Sequence, residues 1–474
     1  MDEQTNEIPQ NPERRRRRKT KLQIFKESYL PVVIAAAALL LIVVFVVGSV
    51  SRSIDKKNAE KDSSNAASQS QANEAAQLQK EADALIQDAD ELAAEYDFDQ
   101  AIAVIDSFSG DISTFPSLEA KRQELVEAKS KMVAWSDPSK ITNLSFQVLI
   151  EDPTRAYADK KYAKSYKNNF ITTTEFEAIL QQLYDKGYML VKLSDLVTTE
   201  TDAEGNVVYT AKTLYLPEGK TPLLLTECQV NYYCYMVDSD GDKKADKGGA
   251  GFASKLVLDE DGNIVNEYID AEGNVQTGAY DMVPILDAFI EEHPDFSFRG
   301  AKAIIAVTGY DGLFGYRTNP SAKEKLGEEA YNQEVQSATA IAEALRMDGY
   351  EIACYTYNND AYADISATEI QADQKHWTDE VTPILGKVDI LVFARNSEIG
   401  DTNSSYSGQK FNALSELGYK YYLGASSDGT PWASVESGYF RQHRVMITGS
   451  GLTGTPQIYS AYFDAATVVD PARS

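Results

Sequence analysis

Histidine and cysteine are nearly absent, three of each in 474 residues. So few cannot build a histidine-rich metal centre or a disulfide-stapled scaffold. Three cysteines outside a cell would also leave at least one unpaired. Positive charge is scarce as well: 45 Lys and Arg stand against 72 Asp and Glu, a net charge of −27, which excludes nucleic acid as a partner of most of the chain. With 43% hydrophobic and 25% charged residues the chain is not disordered. Its length predicts two or three domains, one of them large enough to enclose a pocket.

The scarce positive charge is concentrated. The first 26 residues carry Arg14 to Arg18, Lys19, Lys21 and Lys26 against four acids, a net +4 that leaves −31 for the remainder. An uncharged stretch from Ser28 to Ser51 follows, centred on LPVVIAAAALLLIVVFVVGSV. At about 1.5 Å per residue it spans a bilayer core of about 30 Å. We expect a transmembrane signal anchor over residues 29–50, retained because Gly48-Ser49-Val50 is a poor cleavage site. The positive-inside rule then places the basic tail, 1–28, in the cytoplasm and everything beyond Arg52 outside. The expected protein is single-pass in the cell membrane with an extracellular C-terminal domain.

Residues 51–74 are polar and small, a tether or a frayed helix start. From 75 to 136 the apolar spacing is helical, with Leu78, Leu85, Ala89 and Leu92, then Phe98, Ala101, Ile105 and Phe108, then Leu118, Leu125, Ala128 and Met132, broken at Gly110 and Pro116. This predicts three helices in a spacer that resembles one tetratricopeptide hairpin. Repeat solenoids need three or more such units, so a spacer is the plainer reading and a protein partner docked on it the other.

From Ile141 onward short apolar runs alternate with amphipathic helices. Candidate strands are Ser145 to Ile150, Met189 to Lys192, Pro222 to Glu227, Ala301 to Thr308, Tyr350 to Tyr357, Val388 to Phe393, Lys420 to Ala425 and Arg444 to Thr448. Three joints, YDKG before Tyr188, RMDG before Tyr350 and SELG before Tyr419, end a helix at a glycine and start a strand at once. Thr174-x-x-Glu177 and Ser366-x-x-Glu369 read as capping boxes. Three Asp/Gly/Asn turns, at 202–208, 259–265 and 270–276, read as inserted hairpins. The expected class is α/β: an irregular (β/α) barrel over 141–474 with inserted β-hairpins and its site at the strands' C-terminal ends.

Several ordered segments carry a resemblance: FQVLIEDPTRAYADKKY, TTTEFEAILQQLYDKGYMLVKLSDL, LLLTECQVNYYCYM, GAKAIIAVTGYDGLFGYRT, MDGYEIACYTYNND, PWASVESGYFRQHR and the ending VVDPARS. Together they resemble membrane-anchored NodB-type polysaccharide deacetylases (carbohydrate esterase family 4) of Gram-positive bacteria. The resemblance implies a (β/α) barrel acting on surface glycans with N-acetyl groups, such as peptidoglycan. It also implies a divalent metal such as zinc, held by an Asp and two His, with a second Asp as base. Here the family's consecutive aspartates map onto Cys228 and Gln229, and its two metal histidines onto Tyr355 and Asn359. A first-strand histidine maps onto Gln147, and an aromatic-glycine loop has become Ala394-Arg395-Asn396-Ser397. Neutral amides and a phenol are poor ligands for such a cation. We therefore expect no transition metal and a degenerate pocket on a preserved fold.

The resemblance places Cys228 and Cys354 on neighbouring barrel strands; a disulfide, a soft-metal site shared with Cys234 and a nucleophile are the functional readings, and a small buried hydrophobe the plainer one. Asp238, Asp240, Asp242 and Asp246 match positions 1, 3, 5 and 9 of a calcium loop, but Lys243 and Gly249 replace its Gly and Glu. Calcium is thus the one cofactor suggested by the residues themselves, against a solvated acidic turn. Tyr232, Tyr310, Tyr357 and Trp432, with Arg317, are candidate glycan contacts beside the mapped pocket, although most of the 28 Tyr must simply fill the core. His293, His376 and His443 read as structural or solvated. Two functions remain: a noncatalytic surface protein binding cell-wall glycan or a partner, or a deacetylase or other hydrolase with a relocated site drawing on Glu227, Asp311, Asp401, Arg395 or His443.

Overall fold

The computed structural model describes residues 56–205, 207–237, 249–402, 404–426 and 428–473. The predicted membrane anchor and the acidic loop with Asp238, Asp240, Asp242 and Asp246 lie outside the described residues. Among the described residues no helix is long and apolar enough to cross a membrane.

Seven parallel strands close into a ring. They are β1 (Thr142–Gln147), β2 (Thr221–Cys228), β3 (Ile304–Val307), β4 (Glu351–Cys354), β5 (Ile390–Val392), β6 (Tyr421–Ser426) and β7 (Phe440–Met446). Each pairs in parallel with the next in chain order, and β7 pairs with β1 to complete the barrel. Tyr188–Leu190 lies along the first half of β2, Tyr188 opposite Thr221, on the edge that β3 takes over at Thr226. Helices fill the crossovers, as parallel neighbours require. The (β/α) barrel expected from the sequence is therefore present.

The strands alternate faces. Leu144, Phe146, Leu225, Ile305, Val307, Ile352 and Leu391 point outward into the main core with the helices. Ile141, Leu224, Ile304, Ala306, Ala353, Ile390, Leu423 and Phe440 fill the interior. Strand edges differ from the sequence reading: β1 begins at Thr142 and β7 at Phe440, both in polar stretches.

The inserted hairpins are present: Val197–Thr201 pairs with Val207–Ala211, and Lys255–Leu258, Ile264–Ile269 and Val275–Gly278 form one three-stranded meander. At the three helix-to-strand joints Gly187, Gly349 and Gly418 have φ of 80°, 99° and 93°. Gly349 is the most constrained, since a Cβ there would sit 2.0 Å from the Gly300 carbonyl oxygen, against 2.8 Å from that of Gly219 at Gly187.

Three spacer helices precede the barrel: α1 (Lys56–Ala94), α2 (Phe98–Asp106) and α3 (Pro116–Ser130). α1 starts inside the stretch read as a tether. Ala82 and Ala89 of α1, and Ala101 of α2, are fully buried, small enough for a close helix pair. Tyr96, Met132 and Trp135 pack on the interior cluster at the barrel's N-terminal end. Arg299 ties the spacer there, Nη2 to Asp99 at 2.9 Å and Nε to Asp97 at 3.5 Å.

The capping box at the start of α4 (Thr173–Asp185) corrects a sequence reading. Its N-cap is Thr172 rather than Thr174, and its N3 acid Glu175 rather than Glu177. Three consecutive threonines permit either register. Burial of Glu175 against Arg473 selects the observed one: Nη2 donates to Oε2 at 2.6 Å, and Arg473 also caps the Lys167 and Phe170 carbonyls at 2.7 Å.

Candidate functional site

The barrel interior carries a polar column. Near its base Thr226 Oγ1 donates to Asn143 Oδ1 at 2.8 Å, Asn143 Nδ2 to Gln442 Oε1 at 3.2 Å, and Gln442 Nε2 to the Ile141 carbonyl at 2.8 Å. Above it lies Arg444, fully buried. Its Nε donates to the Gly424 carbonyl at 3.0 Å, Nη2 to the Phe393 carbonyl at 3.3 Å, and Nη1 to Ser145 Oγ at 2.9 Å and Cys228 Sγ at 3.1 Å. The contrast with the other two buried arginines is informative. Arg441 is paired with Glu398 and Arg473 with Glu175, whereas Arg444 meets no carboxylate among the described residues. Burial pushes the Cys228 thiol up, against the pull of Arg444.

The mouth, at the C-terminal ends of the strands, brings together mapped positions. Gln229 Nε2 donates to Gln147 Oε1 at 2.9 Å. Tyr355 is buried beside them, its phenol pushed up to about 12 by burial and by Cys228, with Arg444 and hydrogen bonds from the Arg395 backbone and Gln147 pulling the other way. Asn359 follows in the loop after β4, and its buried Oδ1 has no hydrogen-bond partner. Backbone strain marks this rim: Gln229, Thr356, Asn359 and Arg395 all have positive φ, 63°, 60°, 59° and 53°. Asp373 holds the loop after β4 by accepting from the Tyr357 and Asn358 backbone N–H groups, both at 2.8 Å.

The two inner-strand cysteines cannot pair. β3 runs between β2 and β4, Cys228 faces the interior and Cys354 the outer core, so the two are not on neighbouring strands; chain order in the ring separates them. Cys234 is exposed, its backbone N–H donating to Asp311 at 2.7 Å.

The candidate glycan contacts separate by surroundings. Tyr310 presents an exposed ring, 37% accessible, stacked at 5.2 Å on buried Tyr233, which stacks at 5.6 Å on Tyr235. Tyr232 is fully buried and accepts from Asn266 at 3.1 Å. Tyr357 donates to Glu380 and stacks on His376 at 5.1 Å, away from the amides of the mouth. Arg317 is occupied with the Asp311 and Tyr232 carbonyls at 2.8 and 2.7 Å. Trp432 lies against His443 at 4.6 Å, with the Arg441 guanidinium 4.9 Å from its ring.

A second cluster flanks the mouth. Glu398 accepts from Arg441 at 2.6 Å and from the Tyr406 hydroxyl, and lies 2.9 Å from His443 Nε2. These donors hold its carboxyl below the usual range in spite of burial, which works the other way. Gly424 makes room for the pair: a Cβ there would sit 2.7 Å from Glu398 Oε2. Beside Glu398 a polar cavity of about 550 Å³ lies between the loops after β4 and β5, lined by Asp364, Arg395 and Asp401 among others. His293 is wedged against Tyr184 and Phe289 at 4.3 and 4.7 Å, and His376 is exposed with Nδ1 2.7 Å from Glu380. Sequence reasoning missed Arg444 and Glu398. An arginine in FRQHRVM gives no sign of which face it takes, and Glu398 finds its partners 43 and 45 residues away.

Among the described residues no three His, Cys, Asp or Glu side chains converge as a metal set. The donors at the mapped positions also fit a divalent cation poorly: two amides bonded to each other, a phenol held protonated, and a thiol against a guanidinium.

No family model matches the chain, and no curated protein does. Among solved structures it is similar to the Streptococcus pyogenes deacetylase PplD in complex with acetate, at 14% identity over 66% of this chain and 94% of that one, with a TM-score of 0.35. It is also similar to a de-N-acetylase from Aggregatibacter actinomycetemcomitans, at 12% identity over 68% and 99%, again with a TM-score of 0.35. Neither likeness assigns a role to any residue of this chain.

Proposed function

We propose that this chain is a polysaccharide deacetylase-like protein of the cell surface that binds cell-wall glycan without metal-dependent deacetylation. The observation that carries the reading is the substitution of the mouth as a unit. Gln147, Gln229, Tyr355 and Cys228 meet there as neutral donors and acceptors, and the charge beneath them is a fixed guanidinium. Neutral amides suit hydroxyl and acetamido groups, which donate and accept in turn. The exposed Tyr310 face, backed by Tyr233 and Tyr235, offers a platform for a sugar ring. Anchored by its N-terminal segment, the barrel would face the wall.

Calorimetric titration of the purified chain with N-acetylated chitooligosaccharides and with muropeptide glycan should give saturable binding that Tyr310→Ala weakens about tenfold. Elemental analysis should find no stoichiometric zinc, cobalt, manganese or nickel, and an acetate assay no release. Metal near one equivalent with chelator-sensitive acetate release would replace this reading with that of an active hydrolase.

A further inference from the structure

On the outer face of the barrel, directly behind the mouth, two acids meet without a cation. Glu227 is the residue before Cys228 on β2; it is fully buried, and no N–H or O–H of the described protein donates to either of its carboxyl oxygens. Facing it is Asp281, also fully buried, the N-cap of α5 (Met282–Glu292). Asp281 Oδ1 accepts from the backbone N–H of Leu149 at 2.8 Å and of Met282 at 2.9 Å, while Oδ2 is left without a protein donor. Around the pair stand the Tyr232 hydroxyl on the loop after β2, the Cys228 thiol, and Tyr350 ahead of β4, whose hydroxyl reaches the Val283 carbonyl at 2.9 Å and Asp287 at 2.6 Å. A third carboxyl, the half-buried Glu151 on the loop after β1, accepts from Thr173 at 2.9 Å and adds repulsion toward Asp281 rather than a countercharge. Among the described residues neither acid of the pair has an ion-pair partner.

Two adjacent buried carboxylates with no countercharge cannot both ionise, and a single proton between them turns mutual repulsion into a hydrogen bond. We propose that Glu227 and Asp281 hold one proton between them, and that this proton seats the mouth: its loss at alkaline pH frees the segment from Gln229 to Tyr233. The pair sits where three elements of the mouth converge. Asp281 grips Leu149, two residues past Gln147. Glu227 lies two residues before Gln229. Tyr232 lies against Asp281, and its segment is already strained, with φ of 63° at Gln229 and 46° at Tyr232. Such a backbone persists only while its surroundings hold it. Burial and the opposing carboxyl both raise Glu227 above the ordinary carboxylate range. The proton's stabilisation is therefore complete below about pH 4 and is lost as pH climbs toward the raised value, by about tenfold in the folding constant per pH unit.

The test uses the full chain in detergent, with Glu227→Gln, whose amide donates to Asp281 as the proton does, and Asp281→Asn. From about pH 5 up to the raised folded value the wild-type unfolding constant should rise against that of Glu227→Gln by about tenfold per unit, and level off above it. Backbone amides of 228–233 should gain hydrogen exchange, beyond the intrinsic effect of pH, in the wild type alone. Infrared spectra of the wild type at pH 7 should contain the carbonyl stretch of a protonated acid that disappears on alkalinisation and is missing from both variants. Parallel stability profiles for wild type and Glu227→Gln would overturn the proposal. Should either variant fail to fold, the wild-type spectrum decides: no protonated-acid band at pH 7, or a band whose loss leaves exchange at 228–233 unchanged, overturns it as well.

Discussion

Arg444 makes a quantitative prediction about Cys228→Asp. Introducing a carboxylate into a barrel interior ordinarily costs several kcal/mol, the price of removing an ion from water. Position 228 differs because a guanidinium waits there, its Nη1 3.1 Å from the thiol, with no carboxylate partner among the described residues. Two unit charges at that separation attract by about 5 kcal/mol at an effective dielectric of about 20. The same substitution relieves the unpaired state of Arg444. Attraction and desolvation nearly cancel, so Cys228→Asp should unfold within about 2 kcal/mol of the wild type.

The decisive quantity is the coupling. In an Arg444→Met background the carboxylate loses its counterion, and a double-mutant cycle by denaturant unfolding should return about 3 to 5 kcal/mol between the two positions. Paired with Arg444, the new carboxyl has a depressed folded-state pKa. Its stabilisation is present above the ordinary carboxylate range and is lost as pH falls through the folded value. Coupling below about 0.5 kcal/mol, or a variant destabilised equally with and without Arg444, would refute the account of the barrel interior as holding one uncompensated charge.

Arg473→Ala should cost about 3 to 5 kcal/mol in denaturant unfolding, because Glu175 stays fully buried without its partner and two carbonyls lose their donor. Gly424→Ala should push the Glu398 carboxylate from His443 and lower stability by about 1 to 3 kcal/mol; a change in Trp432 fluorescence would report it, since the indole rests on His443. Protease added to intact cells should remove the part beyond residue 51 and spare the basic tail, and digestion of the tail instead would reverse the proposed orientation.

The outer half of the barrel was legible in the sequence because its strands bury one face in the helical layer, leaving apolar residues at regular spacing. The interior was less so. Asn143 and Ser145 on β1, and Gln442 and Arg444 on β7, put polar residues at inward positions, and the alternation that marks a strand is lost where they occur. Apolar spacing alone therefore starts both strands later than Thr142 and Phe440. The registers of Thr172 and Thr174 are indistinguishable without Arg473, which lies 298 residues from the Glu175 it pairs with. The same limit hid Glu227 from its partner: neither acid is unusual alone, and only the fold sets Asp281 against it. The positions mapped by resemblance at Gln147, Gln229 and Tyr355 do lie together in the fold, though they stand far apart in the chain.

If the mouth carries the substitutions proposed above, they are consistent with one another, and Arg444 explains why. In a barrel with a carboxylate at position 228, that residue could answer both the guanidinium below and a cation above. With a thiol there, the guanidinium is left as a fixed positive charge under the mouth, and a divalent cation at the rim would meet it across a neutral sulfur. Charged ligands at Gln229 would then have to hold the metal against that field, whereas an amide bonded to Gln147 needs no counterion at all. On the proposed reading, loss of the carboxylate at 228 and loss of the rim ligands are therefore one change in electrostatics rather than separate accidents. Restoring Gln229→Asp, Tyr355→His and Asn359→His while leaving Cys228 in place should recover less metal affinity than restoring all four with Cys228→Asp, and equal affinity in the two sets would disconnect Arg444 from the chemistry of the mouth.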